Sequence, residues 1–351
     1  EYNINDVRKI KNFKSSTFSG FKKTIVKKEL IKSITNCKVE TACYWTAEFV
    51  CSGNFIDLWE IIILYCSKNI HLGNPKLPIY IENRFDKFRS ILLNGYIDNE
   101  LDLRNNIKIR EIFTEIISIL CYSNKKHTLD SVFFDKSEAF NISQISDKLK
   151  APKITYVENI YRNDDMKGLF IAINEFAYNI SNESKNAVTA CYWLEWIIEF
   201  DAMCKKKKEH SNCSTREQFP VQEKFKKCSM WLVWDTLLHY CSLKNDEIVT
   251  KIMNSLKNIY CIKFTLGCIK RRKFIIYFAI LLLTENVNVN INLINNNNTG
   301  LIQNLIRKQN ALYKQVKENE HSPNTDYLLH GIKEKKTNLE KTLDKINKYL
   351  K

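Results

Sequence analysis

Apolar residues along this chain recur mostly at three- and four-residue spacings, the period at which one face of an α-helix returns. Residues 110–121 show it plainly, with Ile112, Phe113, Ile116, Ile117 and Leu120 forming one stripe. Alternation with period two is nearly absent. Only residues 287–293, Val-Asn-Val-Asn-Ile-Asn-Leu, carry it, and they run into an asparagine tract and Gly300. That run reads either as a short strand or as a polar loop. The densest apolar stretch, Phe274 to Leu283, falls well short of the ~20 apolar residues that a spanning helix needs. It predicts a buried core helix and no membrane span. The pattern as a whole predicts an all-α protein.

An internal duplication overlies this periodicity. Thr41-Ala-Cys-Tyr44-Trp45 recurs letter for letter as Thr189-Ala-Cys-Tyr192-Trp193, an offset of 148. Upstream the register holds, matching Gly20 with Gly168, Ile25 with Ile173 and Ser33 with Ser181. Downstream, Trp59-Glu60 and Tyr65-Cys66-Ser67 reappear as Trp234-Asp235 and Tyr240-Cys241-Ser242 at an offset of 175. The 27 extra residues fall near 204–227, a lysine- and serine-bearing stretch that reads as an exposed insertion. Two duplicated helical halves follow, residues 13–150 and 160–290. A basic tail, residues 301–351, adds 11 Lys+Arg against 6 Asp+Glu. Within it Ile302, Leu305, Gln309, Leu312 and Val316 keep a heptad-like spacing, as do Ile332, Leu339, Leu343, Ile346 and Leu350. The Ser322-Pro-Asn-Thr325 break makes these two runs a C-terminal helical hairpin, packing on the body or on a partner.

Composition narrows the function more than the fold. At 44% apolar and 12% aromatic, the 351 residues can bury a substantial core and do not describe a disordered chain. Eight glycines and five prolines argue against a turn-rich all-β fold and against a glycine-rich nucleotide fold. G-x-x-x-x-G-K-[ST], G-x-G-x-x-G and G-x-S-x-G are all absent, so neither a phosphate loop nor a nucleophile elbow is expected. Most of the 12 cysteines lie in apolar helical runs, Cys43 and Cys66 among them, where a free thiol acts as a small hydrophobe. Reduced thiols in the cytoplasm or nucleus are the expectation.

Candidate chemistry is thin. Cys204, His210, Cys213 and Cys228 offer four soft ligands, but only His210 and Cys213 stand as close as zinc pairs usually do. An insertion loop with incidental thiols is the simpler reading, and no metal or cofactor is assigned. Cys66 with His71, or Cys241 with His239, would need an orienting third group that the sequence does not supply. Glu48, Glu60, Glu195 and Glu199 accompany the duplicated motifs, and Glu60 and Asp235 match one another. Salt bridges are a commoner role for them than metal binding. No residue is assigned a catalytic role.

The positive signal is basic charge. There are 54 Lys+Arg against 39 Asp+Glu, a formal net charge of +15, and the isoelectric point is about 9.1. The charge gathers at Lys22, Lys23, Lys27 and Lys28, at Lys205, Lys206, Lys207 and Lys208, at Lys224, Lys226 and Lys227, and at Lys270, Arg271, Arg272 and Lys273. Such runs suit sequence-independent contact with phosphates of DNA or another polyanion. The insertion lysines and the run at 270–273 are the candidate nucleic-acid-binding residues.

The stretch from Glu40 to Pro75 resembles the C-terminal helical region of the clamp-loader-related AAA+ family that includes bacterial MgsA/RarA and the Werner-helicase-interacting protein. The matching positions are Ala42, Tyr44, Trp45, Gly53, Ser67, Ile70, Asn74 and Pro75, a tenth of the chain. The second copy keeps Tyr192 and Trp193 but loses the Ile-x-x-x-Asn-Pro ending. The resemblance implies a helical collar or oligomerisation module from replication and repair machinery, and the missing phosphate loop removes the ATPase. Tyr44, Trp45 and Trp59, with Tyr192, Trp193 and Trp234 in the second copy, read as large core anchors. Gly53 reads as a helix stop, and Asn74-Pro75 as a helix boundary. The expectation is a non-enzymatic assembly or adaptor module, contacting proteins or its own copies, and DNA. The competing expectation is a scaffold or inner-shell protein of a large DNA virus.

Overall fold

The structure is a computed structural model and describes residues 2–94, 99–141, 145–207 and 212–321. Among these residues there are 13 α-helices and no strand; the only ladder pairing is an isolated bridge between Ser16 and Lys22. The first half holds α1 (Lys23–Thr35), α2 (Val39–Cys51), α3 (Phe55–Tyr65), α4 (Leu77–Leu93), α5 (Glu100–Asn105) and α6 (Ile107–Tyr122). The short α7 (Lys136–Ala139) lies on the connection. The second half holds α8 (Phe170–Ile180), α9 (Ala187–Lys207), α10 (Met230–Ser242), α11 (Glu247–Cys261) and α12 (Ile269–Thr284), and α13 (Asn296–Lys317) follows.

The apolar stripe read at residues 110–121 becomes the buried face of α6, which packs on α1, α2 and α4. Its start is fixed by Asn106, whose side chain accepts a hydrogen bond from the Ile109 amide at 3.1 Å, satisfying one of the four donors a helix start leaves open. The Phe274–Leu283 stretch becomes α12, a core helix buried on nearly all sides because helices of both halves surround it. Among the described residues no helix is long and apolar enough to cross a membrane. The alternating run at 287–293 forms turns and loop, its asparagines being too rich in local hydrogen bonding to hold a ladder.

Helix starts keep the spacing of the matched sequence. An offset of 148 carries Val39, first in α2, to Ala187, first in α9. An offset of 175 carries Phe55, first in α3, to Met230, first in α10. The ends differ. Gly53 stands at φ +69° just past α2, with its own amide bonded to the Val50 carbonyl at 3.0 Å and that of Asn54 to Phe49 at 2.9 Å. This left-handed cap closes the helix. The position matching Gly53 is Asp201, and α9 runs on to Lys207.

The halves meet where α4 lies on α11 and where α12 lies on α3. α13 returns to α2 and α6, burying Ile302, Gln309 and Val316 and half-burying Leu305 and Leu312, the positions of the first heptad run. Its Gln309 accepts from the Thr114 hydroxyl at 2.9 Å. The break at Ser322 and the second heptad run lie outside the described residues.

Candidate functional site

The basic run at 270–273 opens α12, and its four side chains meet three carboxylates. Lys270 reaches Glu199, Arg271 reaches Glu60 at 2.7 Å, Arg272 reaches Glu60 at 2.6 Å, and Lys273 reaches Glu195 at 2.6 Å. Glu195 and Glu199 stand one turn apart on α9; Glu60 comes from α3 of the other half. Arg272 is only 3% exposed and spends its remaining donors on the carbonyls of Tyr260 and Ile262, both at 2.7 Å. Burial works to raise the Glu60 carboxyl, but the Arg272 and Arg271 guanidinium groups prevail and hold it below the usual carboxylate range. Glu199 is likewise lowered, since Lys136 and Lys270 outweigh its burial. Arg271 and Arg272 thus bond the two halves, while Lys270 and Lys273 bond α12 to α9 within the second half. The sequence carries a signal for this, an acid pair at i, i+4 on α9 and a basic pair at i, i+3 on α12.

A second buried network was not legible at all. Arg216, from the insertion, donates to both oxygens of Asp165 at 2.9 and 2.8 Å and also pairs with Asp235. Burial would raise the Asp165 carboxyl, yet Arg216 and the backbone amides facing it hold it low. Glu60 and Asp235, the matched carboxylates, thus do not face one another. Each serves a different arginine.

Other basic groups remain outward. Lys22, Lys28 and Lys32 are exposed and Lys27 is half-buried, all on or beside α1, and none has a carboxylate partner among the described residues. Lys206 and Lys207 are exposed at the end of α9 without such a partner, whereas Lys205 pairs with Asp201 one turn back. Lys208 lies outside the described residues. Between the halves α1, α3 and the turn from α11 to α12 enclose a cleft of about 430 Å³. Lys23, Lys27, Lys263, Arg271 and Arg272 line it, against Asp57 and Glu60.

The aromatic motif residues do not behave alike. Trp59 and Trp234 are buried, the former against Phe85, Phe88 and Phe113 with ring centroids at 5.2, 5.7 and 5.2 Å. Tyr192 and Trp193 are buried too, whereas Tyr44 and Trp45 are half-buried and pack against the core from its edge. Residues 134–141 and 145–153 make the difference. They cross α8 and α9, placing Phe134 5.6 Å from Tyr192 and the Ala139 carbonyl 2.9 Å from the Trp196 indole nitrogen. On α2, Trp45 meets Phe21 instead, and α13 packs along the helix. Asn74 is buried before α4 and donates to the Ser123 hydroxyl at 3.2 Å and the Leu293 carbonyl at 2.9 Å. With Pro75 it ends a π-helical turn and a 3₁₀ turn, and His71 between those turns stands at φ +33°.

None of the 12 cysteines forms a disulfide, and 11 are buried. Burial pushes Cys43, Cys51, Cys228 and Cys261 up to about 12 and Cys213 up to about 11, far from the thiolate form a nucleophile needs. Cys66 is raised further by the same cause, and burial lowers its companion His71, whose Nε2 faces the His127 carbonyl at 3.0 Å. Among the described residues no three His, Cys, Asp or Glu side chains gather closely enough to hold a metal ion. His210 lies outside them. Neither a family model, nor a curated protein, nor a solved structure matches this chain.

Proposed function

We propose that this chain is a non-catalytic helical scaffold, built from two copies of one helical unit, whose basic faces engage nucleic acid or another polyanion within a replication or repair assembly. The observation that carries the reading is the division of its basic groups. Those of α12, with Arg216, are bonded to carboxylates, while Lys28 and Lys32 of α1 and Lys206 and Lys207 at the end of α9 stand on the surface with no carboxylate partner among the described residues. Lysines so placed follow a phosphate backbone without reading bases. The conserved offsets of helix starts support the two-copy part, and the stretch from Glu40 to Pro75 supports the assembly context. Free, buried thiols fit a reducing compartment, cytoplasm or nucleus.

Titrating labelled duplex and single-stranded DNA across a salt series tests the reading. Affinity should fall linearly with salt on logarithmic axes, with a slope of several units in the sequence-independent mode. No binding at about 50 mM salt would remove nucleic acid from the proposal. If the chain then self-associates instead, a protein scaffold is what remains.

A further inference from the structure

We infer that the cleft between the halves is a phosphate-binding site, taking the oxyanions of a nucleic-acid backbone or of a free polyphosphate. It rests on the polyanion reading above and gives it a place. Five basic side chains face two carboxylates here, leaving an excess of three positive charges around one concavity. The carboxylates do not cancel the site; they arm it. Asp57 holds Lys23 at 2.7 Å, and Glu60 holds Arg271 and Arg272, so three of the five cations are fixed in place before any ligand arrives. Fixed charges lose little conformational entropy on binding.

The other two cations, Lys27 on α1 and Lys263 on the turn before α12, have no hydrogen bond or ion pair among the described residues. They stand on opposite halves. Lys263 also keeps a left-handed backbone, φ +45°, which glycine or asparagine would adopt more easily. The positive end of the α12 dipole adjoins the cleft, since Cys268, the residue before that helix, lines it. At about 430 Å³ the space far exceeds the ~30 Å³ share of a single water. An oxyanion bridging Lys27 and Lys263 would therefore tie the halves together as Glu60 already does.

The test compares Lys27→Glu/Lys263→Glu with Lys308→Glu/Lys314→Glu, which changes net charge equally on exposed α13 lysines outside the cleft. Circular dichroism melts check that both fold. The probes are a labelled 20-nucleotide single strand and unlabelled tripolyphosphate. The cleft variant should bind the strand at least about tenfold more weakly and lose about 1.4 units of salt slope, while the α13 variant changes about twofold. Tripolyphosphate should compete with the strand on the parent chain. If it binds calorimetrically while the strand does not, and the cleft variant loses it, free polyphosphate is the source. Equal weakening by both variants, or loss only in the α13 variant, overturns the cleft while leaving polyanion binding intact. Binding of neither probe overturns both.

Discussion

The same five letters, Thr-Ala-Cys-Tyr-Trp, sit at the start of α2 and of α9 and meet opposite fates. In α9 the Tyr192-Trp193 pair is buried; in α2 the Tyr44-Trp45 pair remains half in solvent. The helices themselves are alike at these positions, so the contrast comes from what crosses over them. Residues 134–141 and 145–153 cover α9 and reach as far as Glu175, whose carboxylate accepts from the amides of Lys150 and Ala151. The two carboxylates after tryptophan diverge in the same way. Glu60 looks outward to the other half and Asp235 looks inward to the insertion. Local sequence thus sets which helix forms, and the neighbours set what its residues do.

The sharpest way to break this comparison is to truncate both tryptophans. Trp193→Ala should cost about 3–5 kcal/mol in urea denaturation, as buried aromatic deletions do, and Trp45→Ala only about 1–2 kcal/mol. Equal losses would mean that the cover over α9 carries no energy.

The arginine networks come next. Arg216→Met leaves the buried Asp165 and the half-buried Asp235 without this guanidinium, an expected loss of about 3 kcal/mol or more. Arg272→Met should cost somewhat less, because Arg271 still meets Glu60. A larger loss at Arg272 would make the seam, and not the second half's interior, the weak point. Acid sharpens this. The Glu60 and Asp165 carboxyls sit below their ordinary values of 4.5 and 3.8. Their contribution is complete above those values and is lost as pH falls through the lower folded-state values. Melting temperature should therefore fall steeply below about pH 4.5. The Arg272→Met chain should show the shallower fall, since only Arg271 then holds Glu60 low.

The helix stops give the smallest effects. Gly53→Ala should cost about 2 kcal/mol, from the left-handed backbone and from a Cβ placed 2.5 Å from Ile10 Cγ1. The reciprocal Asp201→Gly adds a flexible residue inside α9 and should cost about 1 kcal/mol. A stabilised Asp201→Gly chain would show that α9 strains to continue past the point where α2 stops.

Much of the fold was open to reading. The three- and four-residue spacing marks α6, α12 and α13, and the glycine after α2 marks its end, because these depend on contacts within a few residues. Less of the site was. The run at 270–273 looks like a surface for phosphates when only its charge is known. The structure gives it carboxylates from α3 and α9, many residues away in sequence, and leaves the unpaired cations elsewhere, at Lys27 and Lys263.

What the sequence determined by itself was helical class, helix starts and the basic balance, because periodicity, capping and net charge are local or additive properties. What only the tertiary structure decided was which charges are spent and which remain, and which of two identical aromatic pairs is buried. Both depend on desolvation by distant segments, and no local pattern records which segment will arrive.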